Sequence, residues 1–248
     1  MMLALDIGNS KTKYGLFSGR TLSSSGIIDD TNFLENLITS HKIRFAAISS
    51  VDPDVDNKLK QIVHKHKIDA LSIQSTSNFG FSNAYKTINT LGVDRLCGLA
   101  GALELIDISD DINLNRERFI ITVDCGTATT VNILDGNIFT GGIIMPGMMT
   151  MARSLNINTA LLPEVVPAGD VPLVGASTIE CIKSGIVNAT AGLIDRIVRE
   201  LNLDTHGFQL FLTGGNTQYL SKALKYNCVE NPNLVLYGIN RVVRIKEK

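Results

Sequence analysis

The chain has 248 residues, of which 44% are hydrophobic and 19% charged, and its formal net charge is −1. Such a composition is typical of a globular protein with enough apolar material for one large or two small domains. A broad nucleic-acid surface would need a basic excess, so we expect no nucleic-acid partner. No stretch approaches the roughly 20 apolar residues that span a bilayer, and we expect no membrane partner.

The four cysteines are scattered and form no CxxC pair; they are Cys97, Cys125, Cys181 and Cys228. Neither a zinc site nor a disulfide framework is therefore indicated. We expect mostly buried, reduced thiols. The start of the chain lacks the basic segment of a signal peptide, and these features together predict a cytoplasmic location.

In the first half, strands and helices alternate along the chain. The predicted elements are strands over 3–5 and 12–17 joined by a turn at 6–11, a strand over 45–49, a helix from Asp52 and Pro53 to about residue 65, a strand over 70–73 and a helix over 96–108. Asp52 is a suitable N-cap and Pro53 a suitable first helical residue. This alternation favours an α/β protein. The polar segment 107–118 is the best candidate boundary, which predicts two domains, 1–115 and 116–248.

After this boundary the opening pattern returns over residues 119–137. An apolar strand ends at Asp124, a turn contains Gly126 and Thr127, and a second β-rich segment follows, so that Asp124 corresponds to Asp6. A strand over 211–216 ends in a glycine turn. Residues 177–201 form a predicted helix whose apolar residues spread around much of its circumference. That spread predicts burial on more than one side, in the core or against a partner.

The repeated Asp-x-Gly turn has the chemistry of a phosphate site. Glycine lets backbone N–H groups approach a phosphate, and neighbouring Asn, Ser and Thr side chains add donors. The aspartates can hold a cation, or its waters, that binds phosphate oxygens. Two such turns facing each other across a cleft would clamp a polyphosphate. The alternative is an ordinary hairpin turn, and the duplication makes that alternative weaker.

A third candidate segment is "LGVDRL", residues 91–96. Phosphoryl transfer to an alcohol needs a carboxylate that orients the hydroxyl and accepts its proton, and Asp94 is suited to that role. Arg95 is suited to pairing with an anionic substrate or with the transferring phosphoryl group. The alternative is that Asp94 is a helix N-cap and Arg95 a solvated residue of the first turn.

Seven segments in this order resemble the type III pantothenate kinases of the acetate and sugar kinase/Hsp70/actin superfamily. They are "DIGNSKTKYG", "ISSVDP", "LGVDR", "DCGTATT", "GGIIMPG", "GASTIECIKSG" and "LTGGN". The resemblance implies two ribonuclease-H-like (actin-like ATPase) domains with ATP in a cleft between them. It also implies transfer of the γ-phosphate of ATP to the primary hydroxyl of pantothenate, the first step of coenzyme A synthesis.

The resemblance further implies a set of site residues. Asp94 would be the proton acceptor, Asp124 would hold a monovalent cation (K⁺ or NH₄⁺), and Asp6 would be associated with the Mg²⁺ of ATP, through water. The residues implied for ATP are Asp6, Ile7, Gly8, Asn9, Ser10, Lys11, Thr12, Lys13 and Thr127, with Gly214 and Gly215 where the superfamily holds adenosine. The residues implied for pantothenate are Tyr85, Gly92, Val93, Asp94, Arg95 and Thr178. Tyr85 is alternatively a packing aromatic, and Thr178 a helix cap.

The resemblance also implies a homodimer whose substrate pocket lies at the interface. Two other functions stay open on the sequence alone. One is a non-catalytic accessory protein of the same fold, and the other is a superfamily kinase for another small hydroxyl compound.

Overall fold

The computed structural model describes residues 1–109, 117–168 and 171–246. It divides into two compact units, of which the first contains residues 1–116, 137–140 and 233–248 and the second contains 117–136 and 141–232. Within the described ranges, no helix is both long and apolar enough to cross a membrane. The mixed α/β architecture confirms the predicted fold class.

The first unit is built on a five-stranded sheet of order β3-β2-β1-β4-β5. Strands β2 and β3 are antiparallel to their neighbours, whereas β1, β4 and β5 are parallel. Its elements are β1 (Met2–Ile7), β2 (Thr12–Ser18), β3 (Thr21–Ile28), α1 (Thr31–Ser40), β4 (Phe45–Ser50), α2 (Pro53–Lys65), β5 (Asp69–Ser72), β6 (Ser82–Asn83), a 3-10 turn (Ile88–Thr90), α3 (Val93–Ile108) and α8 (Leu234–Lys246).

The second sheet has the order β11-β10-β7-β8-β9-β6, and its strands β11 to β9 repeat the topology of the first. Strands β7, β10 and β11 are parallel and β8 is antiparallel to β7. The elements of the second unit are β7 (Phe119–Cys125), β8 (Ala128–Asp135), β9 (Ile138–Pro146), α4 (Met148–Asn158), α5 (Thr178–Glu200), α6 (Leu203–His206), β10 (Phe208–Thr213), α7 (Thr217–Leu220), a 3-10 turn (Ser221–Ala223) and β11 (Val229–Glu230). The first three residues of β9, 138–140, group with the first unit. The duplication seen in the sequence is thus a duplication of topology.

Strand alternation decides which face of the first sheet is the core. Leu3, Leu5 and Ile7 pack against apolar residues of α1 and α2. On the other face small residues such as Ala4 and Ala47 are fully buried, where α8 packs on β1 and β4. Small side chains let a helix approach the sheet closely, which brings α8 and its neighbour α3 against this face.

The C-terminal helix packs in the first unit. Helices α3 and α8 meet through Gly101 and Gly238, because a Cβ at Gly101 would overlap the carbonyl oxygen of Leu234 and a Cβ at Gly238 would overlap that of Cys97. The predicted boundary at 115/116 assigned residues 233–248 to the second half, whereas by compactness they group with the first. The polar segment proposed as the boundary has its residues 110–116 outside the described residues.

A buried ion cluster joins the same two helices. The carboxylate of Glu104 on α3 is fully buried and accepts hydrogen bonds from Arg241 Nη1, at 3.0 Å, and from Arg244 Nη1. Arg20 Nε lies 3.5 Å from the same carboxylate. A buried charge is tolerated only when paired, so these arginines compensate Glu104.

Candidate active site

The first Asp-x-Gly turn closes the β1–β2 hairpin. Gly8 N–H donates to Lys11 O at 3.1 Å, which fixes the turn, and Asn9, Ser10 and Lys11 are exposed. Asp6 is the next-to-last residue of β1 and pairs with Lys13 across the hairpin. On its other side Asp6 is in register with Ser49 of the parallel strand β4.

The second turn has the same placement in the second unit. Asp124 is the next-to-last residue of β7, is paired with Thr130 of β8, and lies in register with Thr213 of the parallel strand β10. Gly126 N–H donates to Ala128 O at 3.1 Å. Equal registers around two aspartates confirm that the sequence repeat is a structural repeat.

Two glycines from distant motifs enclose the second turn. Gly147 N–H donates to Thr127 O at 2.9 Å, and a Cβ at Gly147 would lie 2.6 Å from that oxygen. Gly214 has φ +95°, and a Cβ there would lie 2.5 Å from Asp124 Oδ1. Only glycine fits at these two positions, which explains why "GGIIMPG" and "LTGGN" accompany the turn.

The second turn has oxygen donors that suit a hard cation. The Asp124 carboxylate is one, and Thr130, its direct pair on β8, carries a hydroxyl on the same face of the sheet. Carboxylate and hydroxyl oxygens are the donors that alkali and alkaline-earth cations prefer. The described residues contain no group of three or more His, Cys, Asp or Glu that could enclose a metal ion. A cation here would therefore complete its shell with ligand oxygens or water.

Asp94 lies inside the first turn of α3. Gly92 is the N-cap, with φ −59° and ψ 125°, and Asp94 is the second helical residue. The alternative that Asp94 is the N-cap is thus wrong, because the helix begins one residue before it. A Cβ at Gly92 would overlap Asp94 Oδ1, so the glycine leaves room for this carboxylate. Burial raises the pKa of Asp94, opposed by hydrogen bonding from the Arg95 backbone and by the Arg95 charge.

Arg95 is buried, with 5% of its surface exposed, and the interpretation of a solvated side chain is wrong. Its guanidinium carbon lies 5.5 Å from the ring centre of half-buried Tyr85. Such a distance is that of a cation–π contact. The structure therefore brings two residues implied for substrate binding together. Tyr85 also stacks on Phe139, so it is a packing aromatic, as the alternative had it, as well as a contact of Arg95.

Cys97 connects the first turn with α3. Its thiol is fully buried, and burial, together with the nearby charges of Asp6 and Asp94, raises its pKa well above the usual range. The charges of Asp6 and Asp94 are thus both close enough to the Cys97 thiol to affect its pKa. Among the other cysteines, Cys125 is buried with a pKa raised to about 12, Cys228 is half-buried and Cys181 is exposed. The expectation of mostly buried thiols fails for Cys181.

Thr178 opens α5 in the second unit. Ser177 is the N-cap and accepts a hydrogen bond from Glu180 N–H, so the cap alternative for Thr178 is wrong. Thr178 lines a cavity of about 900 Å³ together with residues of α4, among them Thr150. Thr150 donates to Thr127 O at 2.7 Å, which links this cavity to the second turn.

The predicted site residues fall into two groups. The first unit holds residues 6–13, Tyr85 and 92–95, and the second holds Asp124, Thr127, Thr178, Gly214 and Gly215. Phe139 and Gly147 were not among the predicted site residues. Gly147 could have been found as the last residue of a motif, whereas no chemical signal in the sequence marks Phe139.

Comparison with known proteins identifies a family. The sequence model of the type III pantothenate kinases matches residues 2–200. A Chlorobaculum parvum protein named type III pantothenate kinase is 32% identical over 98% of this chain and 94% of its own length.

Solved structures show the same fold. A conserved Campylobacter jejuni protein assigned to the Baf family of transcriptional activators matches with a TM-score of 0.67 at 19% identity, covering 99% of this chain and 98% of its own. The activator of 2-hydroxyisocaproyl-CoA dehydratase from Clostridium difficile, with bound ADPNP, matches with a TM-score of 0.52 at 14% identity, covering 99% and 96%.

Proposed function

This chain belongs to the type III pantothenate kinase family, and on that premise we propose that it transfers the γ-phosphoryl group of ATP to the primary hydroxyl of pantothenate. The products are 4′-phosphopantothenate and ADP, and the reaction is the first step of coenzyme A biosynthesis. The observation that carries the proposal is Asp94, a half-buried carboxylate of raised pKa beside the buried guanidinium of Arg95.

Asp94 is the proposed proton acceptor. As the hydroxyl oxygen of pantothenate bonds to the γ-phosphorus, its proton passes to the Asp94 carboxylate. The bond between the γ-phosphorus and the bridging oxygen breaks, and ADP leaves with the electron pair. A carboxylate whose pKa is raised by burial is a stronger base than one in water, which favours this transfer.

The first turn is proposed to bind the phosphates of ATP through residues 6–13. Lys11 and Lys13 supply positive charge at the hairpin, and Asn9 and Ser10 supply exposed donors. Thr127 is proposed as a further contact in the second turn, and Gly214 and Gly215 as the place of adenosine. Mg²⁺ bound with ATP would neutralise part of the phosphate charge, and Asp6 is proposed to hold it through water. Asp124 is proposed to hold a monovalent cation, K⁺ or NH₄⁺.

Arg95 is proposed to bind the carboxylate of pantothenate, with Tyr85, Gly92 and Val93 around it. A guanidinium presents two parallel donors to a carboxylate, which gives orientation as well as affinity. Because pantothenate is an anion, a buried cation is the natural complement.

A homodimer with a shared pocket is proposed from the surface around Thr178. Large apolar side chains are exposed in this part of the second unit: Ile144 (62%), Ile157 (78%), Leu161 (91%), Leu173 (77%), Val174 (83%) and Ile179 (50%). A contiguous apolar patch typically marks an interface, and we propose that these side chains form one. We propose that Thr178 of one subunit completes the pocket that contains Asp94 of the other. A cytoplasmic location remains a prediction.

The test of function is ADP release, measured by a coupled assay with pantothenate, a panel of sugars, and acetate. Pantothenate-dependent ADP formation is expected. Asp94→Asn keeps the shape but removes the basicity, and should lower kcat by about 10²–10⁴-fold. Asp54→Asn is the matched control, because Asp54 is also the second residue of a helix and is exposed.

Two outcomes would contradict the function. Preference for a sugar or acetate would assign a different kinase activity, and no ADP release with any acceptor would favour an accessory protein. Equal turnover in Asp94→Asn and Asp54→Asn would remove the proton-acceptor role alone.

The shared pocket is tested by subunit exchange between Asp94→Asn and Thr178→Arg. If the pocket is shared, one pocket of the mixed dimer contains both changes and the other neither, so activity returns. A mixture that exchanges subunits yet stays inactive would place both residues in one subunit's pocket. A monomeric mass by light scattering would refute the dimer.

A further inference from the structure

Phe139 is a fully buried aromatic that contacts both Tyr85 and Arg95. Its ring stacks on Tyr85, with centroids 5.8 Å apart and planes 19° from parallel. The guanidinium carbon of Arg95 lies 5.8 Å from the centre of the Phe139 ring. The cation therefore contacts two stacked rings, and only one of these, Tyr85, has a proposed role in substrate binding.

The backbone of the same segment holds the loop that contains Tyr85. Strand β6 pairs in parallel with the start of β9, with Ser82 opposite Ile138. Ala84 N–H donates to Phe139 O at 3.0 Å, and Tyr85 N–H donates to Asn83 Oδ1 at 2.8 Å. Phe139 thus holds Tyr85 in place in two ways: the Phe139 carbonyl oxygen binds the neighbouring Ala84 N–H, and the Phe139 ring stacks on the Tyr85 ring.

We propose that Phe139 is a positioning residue for recognition of the substrate's carboxylate. It acts through Arg95, whose long side chain loses much rotamer freedom when it is fixed against the rings. A guanidinium already held in place binds a carboxylate without a further ordering cost. This inference rests on the proposed function, because it takes pantothenate as the anion that Arg95 binds.

The main experiment compares two buried phenylalanines of the first unit. Phe139→Leu removes the ring but keeps an apolar side chain, and should raise KM for pantothenate by about 3- to 30-fold with kcat changed much less. Phe17→Leu is the control, because Phe17 is equally buried and packs edge-on against Tyr237, on α8. Its KM should stay at the wild-type value even where its melting temperature falls. Should Phe139→Leu not fold, Phe139→Met fills the same volume without a ring.

The second readout uses the alcohol analogue of pantothenate, in which a hydroxymethyl group replaces the carboxylate. In Phe139→Leu, the dissociation constant measured by calorimetry should rise for the acid but not for the alcohol. An equal loss for both ligands would mean that the ring only shapes the pocket, and would overturn the proposal. If the wild-type protein binds the alcohol too weakly to measure, the test of the proposal is the comparison of KM for the acid between Phe139→Leu and Phe17→Leu.

Failure of this inference differs from failure of the proposed function. A wild-type protein that releases no ADP with pantothenate refutes the function. Normal wild-type turnover, with an unchanged KM in Phe139→Leu or with equal KM changes in both leucine variants, refutes only the positioning role of Phe139.

Discussion

Gly101→Ala should loosen the contact between α3 and α8 and lower both stability and activity. The added Cβ would overlap Leu234 O and lie 2.8 Å from Leu234 C and 3.1 Å from Gly238 N. These atoms belong to the backbone, so a rotamer change cannot relieve the overlap, and the helices must separate by roughly 1 Å. Overpacking of this kind costs about 1–3 kcal/mol, and we place Gly101→Ala near 3 because the obstacle is rigid.

An opposing term must be subtracted. Alanine in a helix is more favourable than glycine by about 1 kcal/mol, which leaves a net loss of about 2 kcal/mol in the free energy of unfolding. For a chain of this size, each 1 kcal/mol moves the melting temperature by about 2–4 °C, so a fall of about 4–8 °C is expected. Because Asp94 and Arg95 lie in the first turn of the shifted helix, kcat/KM should also fall, by as much as about 10²-fold.

Calorimetry and the ADP-release assay measure the two effects. Gly192→Ala is the control, because Gly192 is exposed on α5 and a Cβ added there would have no described atom within 4 Å. That variant gains helix propensity without overlap, so its melting temperature should rise. A Gly101→Ala protein at least as stable as Gly192→Ala would refute the argument that close backbone contact holds α3 on α8.

Three further predictions concern charge. Burial raises the pKa of Asp94 above its value in the unfolded chain, so the stability that the protonated carboxyl contributes is lost as the pH rises through the folded pKa. The melting temperature of Asp94→Asn relative to wild type should therefore increase from pH 4 to pH 7. A constant difference would contradict the raised pKa. Replacing potassium by sodium or tetramethylammonium at constant ionic strength should lower kcat, and Asp124→Asn should weaken this response more than it changes KM for pantothenate; equal rates in all salts would exclude a specific cation site. Glu104→Gln removes the buried carboxylate shared by Arg20, Arg241 and Arg244, of which Arg241 keeps Asp107 as a partner, and should cost about 3–5 kcal/mol in urea unfolding; a cost below about 1 kcal/mol would show that the cluster is solvated.

Local patterns in the sequence predicted most of the elements correctly. The strands at both Asp-x-Gly turns, the helix that begins at Pro53 after the Asp52 cap, and the long helix after Ser177 are confirmed. These features depend on residues close in the chain: alternation along a strand, a capping side chain, and glycine in a turn. The fold class and family followed from the order of the motifs, and the comparisons confirm both.

Contacts between distant residues had no such signal. The cap of α3 is Gly92, so Asp94 is a first-turn carboxylate, and this depends on how the chain enters the helix. Arg95 was open to a solvated interpretation, but it is buried because aromatic residues from two other segments pack on it.

The sequence by itself determined the repeated turns, the alternating elements and the residue types needed for phosphoryl transfer, because each is encoded within a few neighbouring residues. Only the tertiary structure decided that α8 packs on α3 through Gly101 and Gly238, and that Phe139 lies against Arg95. Neither the missing Cβ of a glycine nor an aromatic ring predicts a particular contact until the fold brings a residue from a distant part of the chain against it. Such a contact depends on the packing of the whole unit, in which each side chain must fill the space that its distant neighbours leave.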